Sequence, residues 1–427
     1  MITLIKNGFL ITVDKNDTCC DGCVIVENDK IIYAGCEGQA PQVKADRVID
    51  AQGGVIAPGF VNTHTHVPMT MMRGYADDIA LMDWLQNHIW PAEERLTDEA
   101  VYWGSMLAMS ELAAGGVTSF SDMYNFNEQI AKAADTAGLR ALIAVAVLDI
   151  DGNGDARLKR AEEFFETVKG YERVNAAIGP HAEYTVSPKM FMKIRDLAIK
   201  LDSRIHVHIS ETAGEHQDSI GRHGKTPIGL LQSLGVLELP VMAAHCVWVS
   251  DEDIDIMARY NVSVMSCPGS NLKLGSGIPR VARMLERGVN VSCATDGAAS
   301  NNNLSMMEEM TLTAILQKGV NHDPALIPAS TALRIATING AGALGLSDVT
   351  GSLEAGKQAD LIIINTNGVR YCPRANLLNH VVYSGCDADV FLTMVGGNII
   401  YENGCITFGD IEEIKAKAAQ YAAKLFA

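Results

Sequence analysis

From about residue 58 to residue 350, short apolar runs alternate with longer helical segments, and this alternation limits the chain to very few folds. The runs cover residues 55–62, 116–122, 140–148, 174–179, 204–209, 241–244, 262–266 and 289–294, eight in all. Eight strands alternating with helices point to a parallel (β/α)8 TIM-type barrel rather than an open doubly wound sheet. The helices carry their own punctuation. Thr97 stands before Asp98 and Glu99, acids that suit a helix N-terminus, and the pattern they begin stops at Gly115-Gly116. Ser187-Pro188 supplies a cap followed by a proline at the first helical position, and Ser250 with Asp253 opens a further helix.

The two ends of the chain read differently. Residues 2–13 are apolar-rich around Asn7-Gly8, and residues 23–26 and 31–34 flank Glu27-Asn28-Asp29-Lys30, a hairpin signal. Strand signals return at 360–365 and 389–395, and residues 411–426 have helical periodicity. The expected organisation is therefore a barrel over residues 58–355, flanked by a small β-sandwich domain. Residues 1–57 form its first part, and residues 356–427 form its second part plus a C-terminal helix.

Composition removes several classes of function. Apolar residues make up 48% of 427 positions, ample for a large buried core. A net charge of −17 argues against a nucleic-acid partner, because proteins that grip phosphate backbones carry a basic face. The ten cysteines are scattered, and Cys246, Cys267 and Cys293 fall in apolar strand-like runs, so they read as reduced residues of a cytoplasmic protein. Cys20 and Cys23 have C-x-x-C spacing without a second pair, which argues against a zinc ribbon. No secretory h-region is evident, and no apolar stretch is long enough to span a bilayer.

The chemistry is carried by histidines and acids at the ends of the strands, where barrels of this class place their active sites. The first strand leads into His64-Thr65-His66, and residues i and i+2 of a strand share one face, so both imidazoles can reach one ion. The fifth strand offers His206, His208 and, three residues on, Glu211. The fourth ends at His181, the sixth at His245 and the eighth at Asp296. Five of eight strands thus bring a His, Asp or Glu to one rim, in a chain with only eleven histidines. His206 lies deeper in its strand than His208 and reads as a packed residue behind it. His88, His216, His223, His322 and His380 fall in helices or loops and read as surface or locally hydrogen-bonded. His181-Ala182-Glu183 matches the H-x-E of zinc nucleobase deaminases, but no P-C-x-x-C follows it. Strand four has no terminal lysine to bridge two metals, so one ion is expected. Three histidines and an aspartate suit Zn²⁺, with iron or manganese nearly as good. Such an ion acidifies a bound water. Asp296 is placed to accept that water's proton, Glu211 to carry a proton to the substrate, and His245 to orient the hydroxide or stabilise an oxyanion. The set fits hydrolysis at a carbon bearing nitrogen: deamination of an amidine-like ring carbon, or opening of a cyclic amide.

These residues resemble the amidohydrolase superfamily. The resemblance rests on Pro58 to His66, His208-x-x-Glu211, His245, Thr295-Asp296-Gly297 and the return segment Gly351 to Asp360, and it covers nearly the whole chain. More narrowly, His64 to Thr70, Trp90-Pro91-Ala92-Glu93, Ser270 to Gly275 and Thr295 to Asn302 resemble the 5-methylthioadenosine/S-adenosylhomocysteine deaminases. The resemblance implies that His64, His66, His208 and Asp296 hold the metal and that Glu211 protonates a ring nitrogen of an adenosine-type nucleoside. It implies that Glu93 binds the ribose hydroxyls, His181 contacts the substrate, and Arg157 faces the 5′ tail. A homo-oligomer is the family's expectation. A second tail-binding arginine of the family's pattern falls near Val145, which tilts the expectation toward uncharged 5′ groups. Trp84 and Trp90 are candidates for the pocket wall or for core packing. Two rivals follow: another ring substrate on the same scaffold (guanine, a pterin, cytosine or a chlorotriazine), or a non-catalytic assembly protein, which should lack the ligands.

Overall fold

The computed structural model describes residues 1–426. Eight parallel strands, Phe60–Thr65, Val117–Tyr124, Arg140–Val147, Val174–Pro180, Ile205–Ile209, Val241–His245, Ser263–Ser266 and Asn290–Cys293, pair in chain order with helices between them. The seam between the last strand and the first is closed mainly by side chains. The Asn62 amide donates to Thr295 Oγ1 at 2.7 Å and accepts from Thr295 N at 3.1 Å, while Asp296 N donates to His64 O at 3.0 Å. An amide side chain here does the work of a strand-pairing peptide, and the result is a nearly closed barrel.

Alternation along each strand separates interior from exterior. On the third strand Leu142, Ala144 and Ala146 pack in the barrel interior with Met123, Met242 and Met265. Ile143, Val145 and Val147 face the surrounding helices. The helix starts expected from sequence are formed: Thr97 accepts from Ala100 N at the head of Asp98–Ala114, Ser187 caps Pro188–Leu201, and Ser250 with Asp253 forms a capping box on Asp251–Arg259.

A separate mixed sheet of nine strands joins the two ends of the chain. Its hairpin, Cys19–Glu27 with Lys30–Cys36, turns at Asn28, whose φ of 56° lies in the left-handed region that Asn tolerates. The ends meet where Val55–Pro58 pairs antiparallel with Leu361–Ile364 and parallel with Ile2–Ile11. This sheet has its own apolar core, including Leu10, Val26, Ile56, Leu361 and Leu392. Arg140, at the start of the third barrel strand, ties the two parts together by gripping both oxygens of Asp360 at 2.6 and 3.1 Å.

The run 55–62, expected as one strand, is two. It breaks at Gly59, where Val55–Pro58 serves the mixed sheet and Phe60–Thr65 the barrel. A Cβ at Gly59 would lie 2.1 Å from Thr118 Cγ2, so only glycine lets the backbone pass from one sheet to the other there. Among the described residues no helix is long and apolar enough to cross a membrane, and all ten cysteines are free thiols.

Candidate metal centre and substrate cavity

At the C-terminal ends of the barrel strands lies a cavity of about 520 Å³. His66, His208, Glu211, His245 and Asp296 line it, together with His181, Glu93, Trp84, Trp90, Tyr124 and Arg157. His64 is fully buried beneath this surface. The rings of His66 and His208 stand 4.8 Å from that of His64, and the ring of His245 stands 5.5 Å from it. Two sets of potential ligand atoms lie within 4.8 Å of one another, His64–His208–His245 and His64–His66–Asp296, and they share His64.

The orientation of each ring follows from what its outer nitrogen touches. His66 Nδ1 donates to Met123 O at 2.6 Å, and His208 Nδ1 donates to His181 O at 2.7 Å. His245 Nδ1 bonds Asn271 Oδ1 at 2.9 Å. His64 Nδ1 lies 2.7 Å from His206 Nε2. Every Nδ1 is thus engaged, leaving the Nε2 atoms for the cavity floor, and His64 Nε2 is buried with no hydrogen-bond partner. Asp296 completes the group. Its Oδ2 accepts from the Ser270 and Ser300 hydroxyls at 2.7 and 2.8 Å, and its Oδ1 faces His64 Nε2 at 3.3 Å and His66 Nε2 at 3.2 Å.

Electrostatics mark this spot as one that draws positive charge. Burial opposes ionisation of Asp296, yet the two imidazoles hold its carboxyl well below the usual range. Burial drives His64 down to about 4, His181 to about 3, and His208 well below its usual value, so these rings are neutral and carry lone pairs. Burial also works against a charge on His66, but Asp296 overrides it and raises the group to about 9. The same carboxylate field would favour a cation held between these imidazoles and Asp296.

Glu211 follows the fifth strand at a sharp turn. Ser210 adopts a φ of 47°, and the buried Glu215 carboxylate holds the turn by accepting from Ser210 N at 2.9 Å and Glu211 N at 2.7 Å. His245 and Asp296 also sit at positive φ, 67° and 61°, a costly conformation kept only where the surroundings enforce it. Burial raises the Glu211 carboxyl above its ordinary pKa, and its Oε2 lies 3.8 Å from His245 Nε2. Glu215 was not singled out in the sequence. The signal was present, a glutamate four residues after Glu211, but nothing local distinguishes it from an ordinary helix acid.

The upper cavity is built from other elements. The half-buried Glu93 ends the short helix Trp90–Glu93, and burial raises its pKa beside the buried Tyr124, whose hydroxyl is otherwise unpartnered. Trp84 and Trp90 both form cavity wall. His181 bonds the Thr185 hydroxyl through Nδ1 at 2.9 Å. Arg157 lines the cavity, but its two terminal nitrogens grip Asp151 at 2.6 and 2.7 Å, and one also donates to Leu148 O. Val145 does not line it. That residue faces the helices, while Ala146 and Leu148 turn toward the cavity, so the placement of a lost arginine at Val145 is corrected: strand alternation puts its side chain on the wrong face.

Residues 55–400 match the model of the amidohydrolase family. A 5-methylthioadenosine/S-adenosylhomocysteine deaminase of Syntrophomonas wolfei is 40% identical over 428 residues, covering 100% of this chain and 99% of that protein. A 5′-deoxyadenosine deaminase of Methanosarcina acetivorans is 40% identical over 429 residues, 99% of this chain and 98% of the other. The crystal structure of an adenosine deaminase from Xanthomonas campestris with bound zinc has a TM-score of 0.96 and 34% identity, over 99% of this chain and 98% of that one.

Proposed function

The chain belongs to the amidohydrolase family, and we propose that it is a metal-dependent hydrolytic deaminase of adenosine-type nucleosides, releasing ammonia and the inosine analogue. The observation that carries the reading is the convergence of the His64, His66 and His208 rings with Asp296 Oδ1 beside Glu211 on the floor of one cavity. The unpartnered His64 Nε2 and the nitrogen-rich donor set fit one divalent ion, for which Zn²⁺ is our choice over iron or manganese. The zinc bound by the adenosine deaminase of similar structure supports that choice.

When bound, the ion supplies a nucleophilic water at neutral pH by lowering that water's pKa. Asp296, fixed through Oδ2 by two serine hydroxyls, turns Oδ1 toward the floor, where it accepts a proton from the water. Glu211, whose raised pKa favours the protonated form, delivers a proton to the ring nitrogen next to the amino-bearing carbon. His245, oriented by Asn271, stands across from Glu211 and stabilises the oxygen that adds to that carbon. Glu93 binds the ribose hydroxyls, and His181 offers its Nε2 to the nucleoside. Arg157, already satisfied by Asp151, is a poor receptor for a carboxylate, and Leu148 and Ile150 add apolar surface beside it. The preferred 5′ group is therefore uncharged, as in 5-methylthioadenosine, 5′-deoxyadenosine or adenosine, ahead of S-adenosylhomocysteine. The free thiols support a reducing, cytoplasmic location.

The test is ammonia release by zinc-loaded protein from these four nucleosides. Release from none of them, with release from guanine, a pterin or cytosine, or chloride from a chlorotriazine, assigns the scaffold to another substrate.

A further inference from the structure

The geometry points to His206 as a positioning residue that sets the tautomer of His64, so that the most deeply buried of the three ligand imidazoles presents a lone pair rather than a proton. The inference rests on the metal-site reading above.

The three imidazoles read as ligands are not held alike. His66 and His208 donate Nδ1–H to backbone carbonyls, which only accept, so in the neutral ring each has its lone pair on Nε2. His64 has no carbonyl partner. Its Nδ1 faces another imidazole, His206 Nε2, at 2.7 Å, and His206 Nδ1 lies 3.1 Å from Ser121 Oγ. Both histidines and Ser121 are completely buried, so no water can replace a missing partner.

Two proton arrangements satisfy this chain. In one, His206 carries its proton on Nε2 and donates to His64, which then keeps its own proton on Nε2, aimed at Asp296 Oδ1. That arrangement blocks a cation. In the other, His64 donates Nδ1–H to His206 Nε2, His206 donates Nδ1–H to Ser121 Oγ, and His64 Nε2 is bare. Both contain the same number of protons. Only the second allows His64 to bind a metal, and it requires an acceptor at the position of His206 Nε2. An apolar side chain there would strand the His64 Nδ1–H in a dry core and favour the blocking tautomer. Outer partners of metal-bound histidines commonly change metal affinity 10- to 100-fold.

The experiment measures Zn²⁺ affinity of metal-free protein by competition with a chromophoric chelator, with the Tm of the metal-free protein as the control for folding. His206→Leu fills the space without an acceptor and should weaken Zn²⁺ binding by roughly 10- to 100-fold. His206→Gln places an amide oxygen near the former Nε2 and should stay within about threefold of wild type. A merely structural histidine would lower the Tm in both variants without separating their affinities. Zinc affinity of His206→Leu within threefold of wild type overturns the inference, as does a His206→Gln protein as weak as the leucine variant. If His206→Leu does not fold, Ser121→Ala takes its place: a several-fold loss of affinity supports the chain, and unchanged affinity overturns it. Wild-type protein that takes up no zinc overturns the metal-site reading itself, and this inference with it.

Discussion

The floor and the mouth of the cavity hold their polar groups by different means. At the floor His64, His208, His245 and Asp296 are buried, every outer nitrogen is tied, and the backbone is bent into costly conformations at Ser210, His245 and Asp296. At the mouth the Arg157 side chain is 27% exposed and its partner Asp151 is 42% exposed, and the pair leans on solvent as much as on protein. Burial makes each interaction at the floor expensive to lose, because water cannot substitute for it. The same lack of burial makes the mouth cheap to alter. In the proposed deaminase, chemistry therefore belongs to the floor, and choice among 5′ groups belongs to the mouth.

The most damaging way to probe this contrast is to remove a floor ligand. His208→Ala should lose bound zinc and, with several kcal/mol of transition-state stabilisation gone, at least about 10³-fold in turnover. Metal analysis of the purified variant decides, and full zinc occupancy with full activity would take His208 out of the site. Glu211→Gln keeps shape and metal but cannot carry a proton, so kcat should fall by roughly 10²–10⁴-fold at unchanged zinc content. A fall of less than about threefold would pass the proton to another group. Glu215→Ala leaves Ser210 N and Glu211 N without an acceptor. Losing that support should lower the Tm and reduce kcat about tenfold with little change in KM. An unchanged kcat would mean that the turn holds Glu211 unaided. The mouth should yield the smallest effect. Asp151→Asn releases Arg157, and the ratio of kcat/KM for S-adenosylhomocysteine to that for 5-methylthioadenosine should rise by up to about tenfold, the screened value of one charge-assisted hydrogen bond. If wild type already prefers S-adenosylhomocysteine strongly, the Asp151 pair does not set selectivity and the contrast between floor and mouth weakens.

Much of the floor was legible along the chain. His64-x-His66, His208-x-x-Glu211, His245 and Asp296 lie at strand ends, and the period of a strand alone predicts that they share a rim. Their supports were not legible. Asn271 and Ser270 reach His245 and Asp296 from the helix Pro268–Lys273, each 26 positions from its partner, and Ser300, four residues after Asp296, carries no mark that sets it apart from an ordinary helix serine. Glu215 looked like any acid in the first turn of a helix. Val145 was misplaced because spacing through a loop does not reveal which way a strand residue faces, and a shift of one position moves a side chain from the cavity to the helix layer.

Periodicity, caps and the spacing of histidines along single strands are local properties, and the sequence determined them: a barrel of eight strands, its helix starts, and a rim of imidazoles and acids. The tertiary structure decided what depends on distant parts meeting. It split the run 55–62 at Gly59, because Thr118 leaves no room for a side chain there. It closed the barrel through Asn62 and Thr295, 233 positions apart. It also brought His206 Nε2 to 2.7 Å from His64 Nδ1, 142 positions away in the chain and fully buried. Such contacts set protonation, orientation and charge, and they arise only when strands far apart in sequence are packed side by side in a medium that excludes water.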